Sequence, residues 1–227
     1  MTETVRGTAS HRHLWLAAFA LIGAFLVAVP ASAEKKLLPE VESNEEGLHV
    51  QPWFRSTFLN LRDDMVEAAA EGKQLAIIWE QKGCPYCREM HRVNLRDPET
   101  VEYIKKHFFV VQLNRWGDRE VVDTDGERTT EKKLGQKYRV QFTPTIQFLP
   151  KGKPPKDGKA SARDLEVWRL LGYWKPFHFQ HTFLYVSEEG YNSEQDFQRW
   201  LQAVWEEKDA HIDGLLRSSA LPAESGA

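Results

Sequence analysis

Residues 75–87 read LAIIWEQKGCPYC and hold both cysteines of this 227-residue chain, Cys84 and Cys87. The apolar run that opens this stretch predicts a short strand buried on both faces. Gly83 lets the backbone turn, and Pro85 suits the first turn of a helix, where its missing N–H is not needed. We therefore expect the cysteines at a strand-to-helix junction. A disulfide between two cysteines this close adds little to stability, because it removes little entropy from the unfolded chain. The spacing therefore favours a reactive pair over a structural disulfide.

Apolar periodicity around this stretch predicts alternating helices and strands. The preceding helix has its apolar stripe at Phe58, Leu61, Met65 and Ala69, with Gly72 at its end. After the cysteines, Asp97 caps a helix that leads into a second apolar strand over 108–113. Strand, helix and strand in this order imply a right-handed crossover and a parallel pair of strands.

The second half of the chain predicts a hairpin, two more strands and three helices. Asp125-Gly126 marks a hairpin turn inside an insert over 115–130. Pro144 stands near the start of a strand, so it must lie at a strand end or a sheet edge. The other predicted elements are a helix over 130–138, the strand over 142–149, an exposed turn over 150–164, a strand over 167–171 and a helix opened by Pro176. An added C-terminal helix is capped by Ser193, and its apolar stripe consists of Phe197, Trp200, Leu201, Val204 and Trp205. This order predicts an α/β fold with a central mixed sheet flanked by helices.

The N-terminal segment predicts export. Residues 1–33 combine a basic start, an uncharged run over 14–30 and a small-residue triplet, as a secretory signal peptide does. An N-terminal anchor that stays uncleaved is the alternative, although the run is short for a membrane span. We expect a flexible acidic lead-in over 34–52, one folded domain over 53–210 and a disordered tail over 211–227.

Charge and compartment limit the functions to consider. The chain has 30 basic and 33 acidic residues, without a basic stripe interleaved with aromatics, so we do not expect a nucleic-acid ligand. Outside the cytoplasm a disulfide persists unless a dedicated donor supplies electrons. An exported cysteine pair therefore needs a redox partner. We expect the protein itself to be a monomer.

The position of each cysteine predicts its role. Cys84 lies at a helix N-terminus, where unpaired N–H groups and the helix dipole stabilise a thiolate, so it is the expected nucleophile. Cys87 lies one turn inside the helix, close enough to attack a mixed disulfide on Cys84, and is the expected resolving residue. Pro85 and Tyr86 support the pair, because the two intervening residues tune its redox potential.

A metal site is the competing interpretation of the same residues. His91 lies four residues after Cys87, so both would share one helix face, and two thiolates with an imidazole would suit copper. A copper chaperone using Cys84, Cys87 and His91 is therefore an alternative. An isolated histidine on a helix is more often a solvated surface residue, as we also expect for His178 and His181. We assign no metal ligand.

The order of elements resembles the thioredoxin superfamily over about residues 53–207. The shared features are the Cys84-Pro85-Tyr86-Cys87 helix, the strand begun by Thr143-Pro144, the antiparallel strand after it and the terminal helix. The resemblance implies that Pro144 follows a cis peptide bond and faces Cys84, and that Thr143 offers backbone hydrogen bonds to a substrate strand. An ordinary trans proline at a strand edge is the alternative.

Three longer runs carry a narrower resemblance: WEQKGCPYCREMH at 79–91, QLNRWGDRE at 112–120 and GYWKPFHF at 172–179. They are similar to the periplasmic thioredoxins encoded in bacterial sulfur-oxidation (Sox) clusters. This resemblance implies a periplasmic reductase of exported protein disulfides, with the sulfur-carrier protein of thiosulfate oxidation as a candidate target. Its electrons would come from a membrane thiol transporter, and it would need no cofactor beyond its own disulfide. A disulfide oxidase or isomerase of the same fold is the enzymatic alternative.

Glu80 departs from the cytoplasmic thioredoxin pattern. The buried acid of that family would align with Ile78, which leaves Glu80 as the nearest carboxylate to the cysteines. We expect Glu80 either to relay a proton for Cys87 or to face solvent at the end of its strand. The Pro85-Tyr86 pair, as in glutaredoxins, and the insert over 115–130 are the other departures.

Overall fold

A four-stranded sheet forms the centre of the protein in the computed structural model, which describes residues 36–193 and 196–206. Its strand order is second, first, fifth and sixth, and the third and fourth strands pair separately. The strands are β1 (Gln74–Glu80), β2 (Phe108–Asn114), β3 (Glu120–Val122), β4 (Arg128–Thr130), β5 (Thr145–Phe148) and β6 (Trp168–Leu171).

The central sheet mixes parallel and antiparallel pairs. β1 and β2 run parallel, with Gln74 opposite Phe108 and Glu80 opposite Asn114. β5 pairs antiparallel with β1, and β6 pairs antiparallel with β5. The parallel pair predicted from the order strand, helix, strand is therefore confirmed. The predicted α/β fold with a mixed central sheet is confirmed as well.

Helices flank the sheet, and a capping residue or a proline marks the start of several of them. Asn60 and Asp97 accept backbone hydrogen bonds at the starts of α1 and α3, while α2, α3 and α5 each open with a proline. The α-helices are α1 (Leu61–Ala70), α2 (Pro85–Arg92), α3 (Pro98–His107), α4 (Glu131–Lys137), α5 (Pro176–Ser187) and α6 (Phe197–Glu206). Short 3-10 turns occupy Asn94–Arg96 and Gly190–Asn192.

Strand β1 separates two apolar clusters, because successive side chains on a strand point to opposite faces. Ala76 and Ile78 contact the cluster that includes residues of α3, α5 and α6. Leu75, Ile77 and Trp79 contact the cluster that includes residues of α1 and α4. Every residue of β1 is buried, as the apolar run predicted. The turn that carries the cysteines thus follows a fully buried strand.

The insert after β2 folds as predicted, with a hairpin and a helix. The carboxylate of Glu131, at the start of α4, accepts hydrogen bonds from the backbone N–H of Asn114 at 2.7 Å and from Arg119 at 2.6 Å. The N–H of Arg115 donates to the Glu80 carbonyl oxygen at 2.7 Å. These bonds hold the start of the insert beside the carboxyl end of β1, next to the cysteines.

The segment before Trp53 is packed against the domain, which corrects the expectation of a solvated lead-in. Leu48 is 2% exposed and Gln51 is 4% exposed. The N–H of Leu38 donates to the Arg96 carbonyl, and Gln112 donates to the His49 carbonyl. Acidic composition concealed this packing, since only a few apolar and polar side chains in the segment make the contacts. The described part of this segment starts at residue 36.

The predicted start of the first helix is wrong. Phe58 is 99% exposed and lies outside α1, because Leu59 takes a left-handed φ of 56° and Asn60 then caps the helix. A turn thus separates Phe58 from the apolar residues that spacing alone assigned to the same helix. At the last helix, which begins at Phe197, the carboxylate of Asp196 accepts from the backbone N–H of Arg199. Residues 194 and 195, between Ser193 and Asp196, lie outside the described residues, so the cap at Ser193 stays a prediction.

Other sequence expectations concern the exposed turn and the chain ends. In the predicted turn over 150–164, Ser161 and Ala162 are buried. No helix among the described residues is long and apolar enough to cross a membrane. The signal peptide or anchor over 1–33 and the tail over 211–227 lie outside the described residues.

Candidate functional site

The two cysteines lie at the turn between β1 and α2. Gly83 takes a φ of +72°, a conformation that costs glycine little, and this turns the chain away from the strand. Pro85 occupies the first position of the helix. Cys84 and Cys87 form a disulfide, with their Cα atoms 5.3 Å apart. The strand-to-helix placement predicted for the pair is confirmed.

Cys84 is the more accessible and the better placed of the two sulfurs to carry negative charge. It is 7% exposed, whereas Cys87 is 1% exposed. Cys84 caps α2, and its Sγ accepts the backbone N–H of Cys87 at 3.1 Å. A reduced Cys84 would therefore have an amide donor and the positive end of the helix dipole at its sulfur. This geometry suits a nucleophile at Cys84 and a resolving residue at Cys87.

A second segment, just before β5, approaches Cys84 from across the site. The Thr143–Pro144 peptide bond is cis, as the resemblance implied. The Thr143 hydroxyl donates to Cys84 Sγ at 3.3 Å. The Thr143 carbonyl oxygen also lies 3.3 Å from this sulfur, where it can accept a hydrogen bond from the reduced thiol. Thr143 thus contacts the reactive sulfur through both its side chain and its backbone.

Exposed aromatic side chains surround this junction. Tyr86, expected as a supporting residue, is 62% exposed, and Phe142, next to Thr143, is 59% exposed. Trp116 of the insert is 53% exposed, and its indole N–H donates to Gln81 at 3.1 Å. Sequence reasoning missed Trp116 and Phe142, since only the tertiary structure brings their segments to the cysteines.

Glu80 is fully buried, so the alternative of a solvent-facing residue is wrong. Its Oε1 lies 2.8 Å from Nε2 of His91, and Nδ1 of His91 lies 3.1 Å from the Gln51 amide nitrogen. His91 is 2% exposed, which corrects the expectation of a surface histidine, and His181 is also 2% exposed. The position of His91 one turn after Cys87 was the available signal, but its partners come from distant parts of the chain.

The same contacts bear on metal binding. Both ring nitrogens of His91 already have partners, so coordination of copper with the cysteines would require it to lose one of them. Among the described residues, three acidic side chains outside this site come close enough to share an ion: Asp123, Asp125 and Glu127. The ammonium group of Lys137 lies within 3.2 Å of all three, in the place a cation would take.

A cleft of about 530 Å³ opens beside Cys84 on the α2 side. Arg88 contributes a positive charge, while Arg92 is paired with Glu89 at 3.0 Å. Burial, followed by the neighbouring His91, lowers the pKa of His49, so this ring is neutral at pH 7. The cleft lining consists of His49, Gly83, Cys84, Pro85, Arg88, Glu89 and Arg92. Cys84 therefore lines a cleft on the side of α2, while Thr143 contacts its sulfur.

Comparison with known proteins returns several solved structures and a family. A thioredoxin-fold protein from Helicobacter pylori is 22% identical, with 70% of this chain and 98% of that one covered and a TM-score of 0.45. A thioredoxin from Thermus thermophilus is 24% identical over 58% of this chain and 86% of that one, at a TM-score of 0.44. The C-terminal domain of Neisseria meningitidis DsbD is 17% identical over 56% of this chain and 92% of that one, at a TM-score of 0.37.

No curated protein matches. Residues 61–187 match the model of the thioredoxin-like domain family, and the chain therefore belongs to that family.

Proposed function

We propose that this protein is an exported thiol-disulfide oxidoreductase that reduces disulfides in other exported proteins. The single observation that carries the proposal is the Cys84–Cys87 disulfide at the start of α2, with Thr143 against the outer sulfur. Membership of the thioredoxin-like family supports an oxidoreductase.

The reaction proceeds in two exchanges. The Cys84 thiolate attacks one sulfur of the target disulfide, forming a mixed disulfide and releasing the other target sulfur as a thiolate that takes up a proton. Cys87 then loses its proton and attacks Cys84 Sγ, which regenerates the intramolecular disulfide and releases the second target thiol. Two electrons pass from the cysteine pair to the target in one cycle. No cofactor takes part.

The backbone of Thr143 provides a docking point for the target. An extended target segment that lies beside Thr143 would place its disulfide at Cys84, since the Thr143 carbonyl is within 3.3 Å of that sulfur. The exposed rings of Tyr86, Trp116 and Phe142 would contact the surrounding target surface.

The sequence supports a periplasmic setting linked to sulfur oxidation. The predicted signal peptide over 1–33 supports export, and the runs at 79–91, 112–120 and 172–179 are similar to the thioredoxins of Sox clusters. In that setting a membrane thiol transporter would reduce the cysteine pair, and the sulfur-carrier protein would be its target. We take the protein to act as a monomer.

Two measurements test the proposal. The reduction potential of the Cys84–Cys87 pair separates a reductase from an oxidase, because thioredoxins have potentials of about −270 mV and strong oxidants such as DsbA of about −120 mV. A value close to the oxidant would refute a reductase. Trapping with Cys87→Ala, which stalls the mixed disulfide on Cys84, identifies the target in periplasmic extracts. Cys84→Ala is the matched control, and a trapped band common to both variants would contradict the assigned nucleophile.

A further inference from the structure

Three polar residues from separate parts of the chain meet behind the cysteine pair. Glu80 ends β1, His91 lies in the last turn of α2, and Gln51 belongs to the segment before the first helix. The distances are 2.8 Å from Glu80 Oε1 to His91 Nε2 and 3.1 Å from His91 Nδ1 to Gln51 Nε2. All three are at most 4% exposed. Buried polar groups aligned in this way constrain each other's protons.

The order of donors and acceptors specifies where the proton of His91 resides. An amide nitrogen can only donate, so Gln51 donates to Nδ1 of His91 and leaves that nitrogen without a proton. The proton of the neutral ring is then on Nε2, which donates it to Glu80 Oε1. Glu80 Oε2 has no hydrogen-bond partner within the part of the chain that the structure describes. One carboxylate oxygen is held in place and the other is left to accept a proton.

The group lies one helical turn from the resolving cysteine. Cys87 and His91 are four residues apart on α2, so they share a face of that helix, and both are buried. The carboxylate of Glu80 contacts the same face of α2 through its hydrogen bond with His91. Cys87 must lose a proton before it can attack, yet it is 1% exposed and has little access to solvent. A carboxylate on this side of α2 can supply the base that water cannot.

Two aromatic rings and a small cavity surround His91. The rings of His49 and His91 are 5.5 Å apart, and Phe54 contacts His91 edge-on at 5.9 Å. A small cavity of about 30 Å³, large enough for a water molecule, borders His91. The ionisable groups around that cavity are Glu40 and His49 of the N-terminal segment and Arg88, His91 and Arg92 of α2. His91 therefore lies between Glu80 and Gln51 and also borders a water-sized space.

We propose that His91, held by Gln51, is a positioning residue that orients Glu80 as the base for Cys87. This rests on the proposed function and deepens its second exchange. The proton leaves Cys87 Sγ for Glu80 Oε2, the resulting thiolate forms a bond to Cys84 Sγ, and the bond from Cys84 to the target sulfur breaks. The target sulfur departs as a thiolate and takes a proton from solvent. The N-terminal segment thereby becomes part of the active site.

Reaction of the reduced protein with DTNB separates the two exchanges. Attack by Cys84 releases one thionitrobenzoate in a phase that depends on DTNB concentration, and attack by Cys87 releases the second in a phase that does not. We expect His91→Gln to leave the first phase unchanged and to slow the second at pH 7 by about tenfold or more, as removal of general-base catalysis does. The second phase should then continue to rise with pH, approaching the wild-type rate in alkaline solution.

Two comparisons keep a structural effect apart from the proposed role. His181→Gln alters another buried histidine, on α5, whose Nδ1 bonds to the Phe177 carbonyl, and both phases should be unchanged. If His91 acts through Glu80, the double variant Glu80→Gln/His91→Gln should be no slower than Glu80→Gln alone. Independent, multiplicative losses would overturn the proposal, as would a wild-type pH profile of the second phase in His91→Gln.

Gln51→Leu decides the matter if His91→Gln does not fold. It leaves the pair of Glu80 and His91 in place and removes only the bond to Nδ1, so the second phase should slow and its pH profile should move to higher pH. An unchanged profile in Gln51→Leu would refute the proposal. The absence of a first phase in the wild-type protein would instead refute the proposed oxidoreductase function, so the two failures are distinguishable.

Discussion

Replacement of Asp64 by asparagine should stabilise the protein at neutral pH. Asp64 lies in the first turn of α1 and is 3% exposed, with the Thr57 hydroxyl donating to its Oδ2 at 3.2 Å. Burial raises the pKa of Asp64 from 3.8 to about 7, although the Thr57 hydrogen bond opposes this. The native protein thus holds on to a proton that the unfolded chain releases near pH 4.

The sign and size of the effect follow from proton linkage. Between pH 3.8 and about 7 the native state binds more protons at Asp64 than the unfolded state, so stability falls as pH rises through this window. At about 1.4 kcal/mol per pH unit, the rise from 3.8 to about 7 corresponds to a maximum penalty of about 4 kcal/mol. Asp64→Asn removes the penalty, so its advantage should be absent near pH 4 and complete at pH 8.

Urea unfolding of the oxidised protein, followed by tryptophan fluorescence at pH 4, 6 and 8, measures this difference. Asp63→Asn is the matched control, since it removes a charge from the same helical turn at an exposed position. We expect the free energy of unfolding of Asp64→Asn to gain on the wild type with rising pH, and that of Asp63→Asn to show no such gain. A difference that is independent of pH, or a less stable Asp64→Asn at pH 8, would refute the reasoning.

Three further variants test the site and the core. Thr143→Val removes the hydroxyl donor to Cys84 Sγ, so the first DTNB phase at pH 7 should slow about fivefold, equivalent to about 1 kcal/mol; an unchanged rate would contradict a role for that hydroxyl. Lys137→Met leaves the buried carboxylate of Asp123 without its cation and should cost about 3 kcal/mol in urea unfolding, whereas Lys133→Met on the same helix should be neutral. Phe183→Ala removes a buried ring whose centroid lies 5.1 Å from that of Phe108, and it should lower the free energy of unfolding by about 3–5 kcal/mol. A smaller loss would show that the core collapses around the cavity.

Strong local patterns allowed most elements to be predicted. The apolar run before the cysteines became β1, Asp97 and Pro98 open α3, and Asp125-Gly126 turns the hairpin. Spacing failed where a turn interrupts it, as at Leu59, whose left-handed backbone separates Phe58 from the helix. Apolar periodicity depends only on the spacing of residues along the chain, so it does not reveal where the backbone changes direction.

The two reactive cysteines could be predicted from the sequence, whereas the buried polar residues beside them could not. Cys84 and Cys87 were evident because two cysteines at this spacing before a helix have a specific chemistry. The burial of Glu80 and His91 was not, because a carboxylate and an imidazole are usually solvated unless a partner compensates for lost hydration. That partner, Gln51, lies 40 residues from His91 in a segment whose composition indicated no packing.

Sequence alone was sufficient for the cysteine helix, the order of strands and helices and the placement of Pro144 at a strand end, because each depends on neighbouring residues or on short-range backbone preferences. The tertiary structure decided which side chains meet Cys84, how Glu80 is paired and that the N-terminal segment covers His91. These contacts join residues distant along the chain, and their free energy depends on burial and on hydrogen-bond geometry that only the packed fold creates.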